Sequence, residues 1–132
     1  MKKGGDKTVE RLDHLVLTVR DVDLTCEFYE RVLGMEVITF GQGRKALRFG
    51  HSKINLHPLG KELEPKAHRP TPGSADLCFI VTTSIREMTE RLQTIGLAVI
   101  EGPVRTHGAT GPIVSVYFRD PDLNLIEVSN EL

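Results

Sequence analysis

The chain has 132 residues, with 17 Lys and Arg against 18 Asp and Glu, and a formal net charge of −1. A chain of this length forms one compact domain, and its balanced charge lacks the basic stripe of a nucleic-acid surface. No apolar run is long enough to span a membrane or form a signal-peptide core, and the two cysteines offer no disulfide framework. We therefore expect a cytoplasmic protein that binds neither nucleic acid nor membrane.

The sequence contains an internal repeat. The strand-like stretch 12–19 returns at 75–81, so that His14 falls on Asp76 with an offset of 76 − 14 = 62. Gly34 returns with the same offset as Gly96. Two copies are too few for a solenoid, and a pseudo-twofold pair of modules fits better.

The first half predicts a βαβββ module. A helix capped by Asp21 or Asp23 follows the first strand, and Gly34 suits the left-handed position after its end. Around this helix we expect a flexible arm over 1–10, strands over 12–19, 35–40, 45–49 and 53–58, and a connecting loop over 59–74. Everything from residue 11 to 132 then forms one domain, with module one at 11–58 and module two at 75–130.

The second half repeats this plan. Ser84 and Glu87 have the spacing of a capping box, and Gly96 ends the helix that they begin. Strands are expected over 97–101, 113–119 and 124–130, with a Gly- and Pro-rich loop over 102–112 as a mobile edge of a site. The predicted fold class is α+β, with two tandem βαβββ modules forming a curved, mostly antiparallel sheet cleft.

Side-chain alternation assigns one polar residue from each of four strands to the face of the sheet without helices. These residues are His14, Asn55, Asp76 and Glu127, and Asn55 falls on Glu127 with an offset of 127 − 55 = 72. The face is either solvated, as is common in antiparallel sheets, or a metal site. The second interpretation follows because an enclosed His and two carboxylates need a counter-charge, which a divalent cation supplies.

The motifs around two of these residues resemble a known family. His14 in Asp-His-Leu-Val-Leu-Thr-Val and Glu127 in Asp-Pro-Asp-Leu-Asn-Leu-Ile-Glu-Val resemble the vicinal-oxygen-chelate superfamily, over about residues 11–130. That group holds glyoxalase I (lactoylglutathione lyase), fosfomycin-resistance thiol transferases, extradiol dioxygenases and bleomycin-binding proteins. Segments 50–57 and 117–122 are similar to its branch called glyoxalase domain-containing protein 5. The resemblance implies the fold, whereas the reaction must be argued from the site.

The resemblance also implies site residues. His14 and Glu127 match metal-ligand positions, and Asp76 stands where the family usually has His. Asn55 stands where glyoxalase I has a metal-ligating Glu. A glycine usually follows Asp-Pro-Asp, and because Leu123 replaces it, the left-handed backbone is expected at Asn124. The oxygen-rich ligand set favours Mn, Ni, Mg or Fe over Zn.

Other residues have two interpretations each. Glu127 either transfers a substrate proton or is a plain ligand. His57 completes the metal sphere or acts as a base, or else forms hydrogen bonds near the rim. Arg48 either enters the cleft and holds a carboxylate or phosphate, or is an exposed strand residue. Cys78 is either a nucleophile or a small buried residue, and the second is expected because neighbouring carboxylates raise the pKa of its thiol and oppose thiolate formation. His107 is expected in the flexible loop.

Three functions follow from these expectations. The first is a metal-dependent lyase or isomerase of glyoxalase I type, acting on a small oxygen-rich electrophile or its thiol adduct, such as a glutathione adduct. The alternative is a non-catalytic, bleomycin-resistance-like dimer that binds a small molecule. The third is a thiol transferase or a ring-cleaving dioxygenase, of which the latter expects two His and one carboxylate. We expect a homodimer, because half-open sheets leave edges that need covering, with sites either within or between chains.

Overall fold

The structure is a computed structural model and describes residues 7–132. Of the predicted N-terminal arm, residues 1–6 lie outside the described residues, and 7–10 are exposed without regular structure. The elements are β1 His14–Val19, α1 Val22–Leu33, β2 Glu36–Phe40, β3 Arg44–Phe49, β4 Ser52–Pro58, β5 Asp76–Ile80, α2 Ile85–Thr94, β6 Glu101–His107, β7 Pro112–Arg119 and β8 Leu125–Glu131. This order confirms the α+β fold with two βαβββ modules.

Each module forms its own four-stranded sheet, in the order β1-β4-β3-β2 for the first and β5-β8-β7-β6 for the second. The pairs β1–β4 and β5–β8 are parallel, and the other pairs are antiparallel. Both sheets are therefore mostly antiparallel, as predicted. The first strand of each module lies at an edge of its sheet.

The helix ends confirm the predicted capping chemistry. The side chain of Asp21 accepts a hydrogen bond from the N–H of Leu24 at 3.0 Å, and Gly34 ends α1 with φ of 67°. The hydroxyl of Ser84 accepts the N–H of Glu87 at 3.1 Å and so begins α2. Each bond satisfies an N–H that the first helical turn leaves free. No helix within residues 7–132 is both long and apolar enough to cross a bilayer.

The two modules share one hydrophobic core. Buried residues from α1, α2 and both sheets form a single cluster. Phe28 of α1 lies 6.3 Å from Phe118 of β7, and Phe49 of β3 lies 5.3 Å from Phe79 of β5, between ring centroids. The helix-bearing faces of the sheets thus pack together, and the helix-free faces point away from this core.

The sixth strand corrects one prediction. Residues 97–100 form no strand, and β6 instead covers most of the segment predicted as a loop. The β6–β7 register shifts between Glu101 and Val104, which is a bulge. Gly102 lies there with φ of 106°, and a Cβ at this position would come within 2.3 Å of the carbonyl oxygen of Ser115. A glycine that signals a loop in the sequence therefore serves a close approach of two strands.

The turn between β7 and β8 corrects the prediction that Asn124 has the left-handed backbone. The left-handed residue is Leu123, with φ of 69°, and Asn124 does not take that role. The side chain of Asn124 is buried, donates to Asp120 and accepts from the N–H of Ala75. This bonding holds Asn124 in place, and the exposed Leu123 adopts the costly conformation instead.

Candidate metal and substrate site

The helix-free face of the first sheet carries one half of the predicted site. Val16 pairs with Asn55 and Thr18 with His57, so these four side chains share the face that begins with His14. The Nδ1 atom of His14 lies 2.8 Å from Oδ2 of Asp13, and its side chain is half-exposed. A carboxylate on Nδ1 fixes the imidazole tautomer, which leaves Nε2 available as a metal ligand.

Asn55 and His57 are buried on this face, and each has one polar side-chain atom without a hydrogen-bond partner among the described residues. Each residue is only 6% exposed, and within residues 7–132 the Asn55 Oδ1 and His57 Nε2 atoms have no hydrogen-bond partner. Leaving a buried polar atom unpaired costs about 1–3 kcal/mol. Both atoms are therefore available to a water, a ligand or a second chain.

Arg48 lies on the same face and is already paired. Its Nε and Nη2 atoms donate to Oε1 of Glu36 on the neighbouring strand, at 3.1 and 2.8 Å. Both side chains are more than half exposed, so the pair contributes little to stability. A substrate anion at Arg48 would have to compete with Glu36.

The helix-free face of the second sheet carries the other half. The hydroxyl of Ser115 donates to Oε2 of Glu127 at 2.6 Å and lies 2.6 Å from the hydroxyl of Ser129. The Cys78 thiol lies 3.3 Å from that second hydroxyl. Ser115 and Ser129 are fully buried, and Glu127 is half-buried. The carboxylate of Glu127 is therefore anchored through Oε2 by Ser115, and the Tyr117 hydroxyl and the Cys78 thiol also interact with this carboxylate.

Cys78 corrects a prediction, because it is an exposed free thiol. Its edge strand β5 leaves this face open. The residue is exposed, but protein atoms around its sulfur partly exclude water, which raises the pKa of the Cys78 thiol, and the charges of Glu127 and Asp76 raise this pKa further. The direction agrees with the predicted effect of the carboxylates, and the thiol stays protonated at neutral pH.

Asp76 and Glu127 lie two positions apart along adjacent strands. Asp76 pairs with Leu125, whereas Glu127 pairs with Cys78. Asp76 is exposed at the start of β5. His107 is exposed at the end of β6, on a strand rather than in the predicted loop.

One chain alone does not bring the predicted metal ligands together. Among residues 7–132, no three His, Cys, Asp or Glu side chains lie close enough to hold one ion. His14 lies on the first sheet, and Asp76 and Glu127 lie on the second. The residues of a single chain therefore fit two half-sets of ligands rather than one complete metal site.

Sequence reasoning missed the serine pair that anchors Glu127. Ser115 pairs directly with Ser129 across β7 and β8, and Tyr117 pairs with Glu127 on the same face. A usable signal existed, since small polar residues alternate with Val116, Phe118 and Val128 along these strands. Their role became visible only with the β7–β8 register.

Comparison with known proteins identifies the family. Residues 11–128 match the Glyoxalase/Bleomycin resistance protein/Dioxygenase superfamily, and the chain belongs to it. It is 58% identical over 121 residues to virulence protein STM3117 of Salmonella typhimurium, covering 92% of this chain and 84% of that protein. It is 59% identical over 123 residues to glyoxalase domain-containing protein RDO1 of Mycosarcoma maydis, covering 93% of this chain and 69% of that protein. The crystal structure of STM3117 superposes with a TM-score of 0.92 at 56% identity, covering 94% of this chain and 98% of that chain.

More distant structures share the fold alone. Lactoylglutathione lyase from Agrobacterium tumefaciens has a TM-score of 0.72 at 23% identity, covering 94% of this chain and 96% of that chain. The antibiotic-binding protein TnmS3 from Streptomyces has a TM-score of 0.74 at 21% identity, covering 96% of this chain and 100% of that chain. The fosfomycin resistance protein FosX of Listeria monocytogenes, complexed with Mn(II) and sulfate, has a TM-score of 0.66 at 22% identity, covering 95% of this chain and 93% of that chain. This fold therefore occurs in both enzymes and binding proteins.

Proposed function

We propose that the chain is a metal-dependent lyase or isomerase of glyoxalase I type, acting on a small oxygen-rich electrophile or its thiol adduct. The observation that carries this proposal is the carboxylate of Glu127, held at 2.6 Å by the buried hydroxyl of Ser115 on an open sheet face. Both cysteines are free thiols, which supports a reducing cytoplasm as its location. A glutathione adduct is the proposed form of the substrate.

The working unit in this proposal is a homodimer. The two helix-free faces expose Val16 (45%) and Ile80 (55%), apolar side chains that a second chain would cover. A twofold axis would bring the first sheet of one chain to face the second sheet of its partner. Each site would then take His14 and Asn55 from one chain and Asp76 and Glu127 from the other. This arrangement would unite the two half-sets of ligands.

The ligand set suits a hard divalent ion. One imidazole, two carboxylates and the amide oxygen of Asn55 favour Mn, Ni, Mg or Fe over Zn. The unpartnered, buried Oδ1 of Asn55 supports a ligand or a water at that position. When bound, such an ion polarises adjacent substrate oxygens and stabilises the negative charge that develops there.

Glu127 is the residue that moves the proton. The Ser115 hydroxyl holds its Oε2 atom at 2.6 Å, and the carboxylate accepts a proton from a substrate carbon on the open face of the sheet. Returning this proton to the neighbouring carbon, while the substrate hydroxyl proton passes to the former carbonyl oxygen, completes an isomerisation without any external oxidant or reductant. The buried serine keeps the carboxylate in one position through both transfers.

One observation favours a non-catalytic alternative. Asn55 is an amide at a position where proton transfer and strong ligation both need a carboxylate, and it is buried. A dimer that binds a small molecule between the same faces would tolerate this amide, and TnmS3 shows that the fold can bind an antibiotic. The thiol transferase and the ring-cleaving dioxygenase rank behind it. The dioxygenase expects two His and one carboxylate, whereas the proposed ligands His14, Asp76 and Glu127 are one His and two carboxylates.

Metal analysis of the purified protein separates the first two functions. We expect a bound divalent ion and turnover of methylglyoxal with glutathione, and Glu127→Gln should lower kcat about 100-fold or more, as loss of a general base does. Glu30→Gln, which removes an exposed carboxylate from α1, is the matched control and should retain full activity. A wild-type protein that is purified without metal and does not bind added Mn²⁺ or Ni²⁺ would leave non-catalytic binding of a small molecule as the function.

A further inference from the structure

A cavity of about 460 Å³ lies beside the first sheet and reaches Ala75 and Asn124 of the second module. Its floor includes Thr18 of β1 and His57 of β4, and its wall is the segment from Pro65 to Ser74. This volume falls in the range of ligand-binding clefts, which are about 300–1,000 Å³. The loop between the modules therefore borders an open cleft of a size that suits a small molecule.

The cavity is lined by cations and no acid. Lys66 and Arg69 contribute to its wall, and none of the described lining residues is Asp or Glu. Lys66 lies 3.8 Å from Glu64, whereas Arg69 forms no ion pair within residues 7–132. The carboxylate of Glu62, on the same loop, accepts the N–H of Gly60 at 2.8 Å. Arg69 is thus the charge left available to a ligand.

His57 supplies the buried donor. It is 94% buried, from an exposure of 6%, and its Nε2 atom has no partner within the described residues. The neutral ring with a proton on Nε2, like the charged ring, donates at this atom. An acceptor oxygen in the cavity would satisfy the orphaned donor, and a negative charge on that oxygen would also attract Arg69.

Hydrogen bonds within the protein order the segment that forms the cavity wall. The Thr71 hydroxyl donates to the carbonyl of Arg69 at 3.0 Å, and the Ser74 hydroxyl donates to the carbonyl of Thr71 at 2.9 Å. The N–H of Ala75, at the end of the wall, donates to Oδ1 of the buried Asn124. These bonds reduce the entropy that a ligand would otherwise lose in ordering the loop.

We propose that this cavity binds a small oxyanion through His57 and Arg69. The ligand class is a small molecule that carries a carboxylate or a phosphate group. The cavity shares Val16, Thr18 and His57 with the helix-free face of the first sheet, so this inference rests on the proposed function and gives its substrate an anionic group. Arg69 contributes charge and a planar pair of donors, and His57 fixes the position of one oxygen.

The test is a titration of metal-free, EDTA-treated protein with inorganic phosphate, and separately with malonate, by calorimetry and by NMR of the imidazole signals. We expect saturable binding that moves the signals of His57, assigned by their loss in His57→Gln. Arg69→Gln should weaken binding about ten-fold, as loss of a charge-assisted pair does. Arg86→Gln, which removes the same charge from exposed α2, is the control and should bind like wild type.

The outcome decides the proposal in each arm. Tighter binding of malonate than of phosphate assigns a carboxylate ligand, and the reverse assigns a phosphate. Equal weakening by Arg69→Gln and Arg86→Gln, or shifts that spare His57, would overturn the proposal. Since no metal is present, such a failure leaves the test of Glu127 untouched. Arg69 is exposed, so its replacement does not disturb the core.

Discussion

The phenol of Tyr29 in α1 donates a hydrogen bond of 2.6 Å to Oδ2 of Asp120, across 91 positions of sequence. Both residues are buried, and Oδ1 of Asp120 accepts the N–H groups of Asp122 and Asn124 at 2.9 Å each. One carboxylate therefore organises the turn before β8 and binds that turn to the helix of the first module. Burial, with the nearby charge of Asp120, raises the pKa of Tyr29, so the phenol remains a donor.

Tyr29→Phe tests this connection between the modules. The change removes only the hydroxyl, and we expect a loss of about 1.5–3 kcal/mol in the free energy of unfolding, the range for hydrogen bonds to charged groups. Urea denaturation measures it. Tyr117→Phe is the comparison, because its hydroxyl interacts with Glu127 on a half-buried face where water weakens such a bond, and it should cost less. Equal losses of unfolding free energy in the two variants would show that the bond to Asp120 stabilises the fold no more than the hydroxyl of Tyr117 does.

Ser115→Ala tests whether the serine positions Glu127. Alanine fits the fully buried site, so the fold should survive, but the 2.6 Å bond to the carboxylate is lost. We expect metal affinity to fall about 10–100-fold, as when an outer partner of a ligand is removed. Calorimetry with Mn²⁺ measures the affinity. Ser52→Ala on β4, whose hydroxyl bonds the backbone of Leu12, is the matched control and should bind metal normally.

A mixture of two inactive variants tests whether sites are shared between chains. His14→Ala and Glu127→Ala each damage both sites of a homodimer, but a heterodimer regains one intact site. Random pairing should therefore restore about a quarter of the native metal sites, rising to about half if only heterodimers form, as twofold symmetry requires. Equilibrium dialysis with Mn²⁺ counts them. No recovery after subunit exchange would place each site within one chain, and a stable monomer in light scattering would exclude the dimer.

Asn55→Glu tests the fourth ligand position. A carboxylate there should bind a divalent ion more tightly, by about ten-fold or more, because carboxylate is the stronger ligand for hard ions. Without metal, the same residue is a buried charge and should lower Tm. Thermal melts with and without Mn²⁺ show both effects. Asn55→Gln keeps the amide and serves as control; unchanged metal affinity in Asn55→Glu would mean that position 55 points away from the ion.

The raised pKa of the Cys78 thiol predicts how the alkylation of this residue depends on pH. Its raised pKa means that the reactive thiolate forms only at a pH above the ordinary range for cysteine. Iodoacetamide labelling of a Cys26→Ala variant, followed against pH, should therefore have a midpoint above that of a free thiol. Adding Glu127→Gln removes one charge that raises the pKa, and the midpoint should move down. A midpoint unaffected by Glu127→Gln would contradict the contact between these two groups.

Local chemistry in the sequence was sufficient for much of the fold. Asp21, Gly34 and Ser84 predict their helix ends because capping depends on a few neighbouring atoms. The repeat, with alternation along each strand, predicts which side chains face the helices, and Leu17, Ile54 and Val128 are all buried in the shared core. The polar residues of the opposite face follow from the same period of two. These features need no knowledge of which strands meet.

Only the tertiary structure decided how the polar residues are grouped. Alternation places His14 and Glu127 on helix-free faces, yet it does not say that the two sheets pack through their helices. That packing follows from long-range contacts such as Phe28 with Phe118, and it separates the ligands of one chain into half-sets. The strand at Gly102 and the left-handed Leu123 were missed for the same reason. The carbonyl of Ser115 and the side chain of Asn124 decide those conformations, and both act from other parts of the turn or sheet.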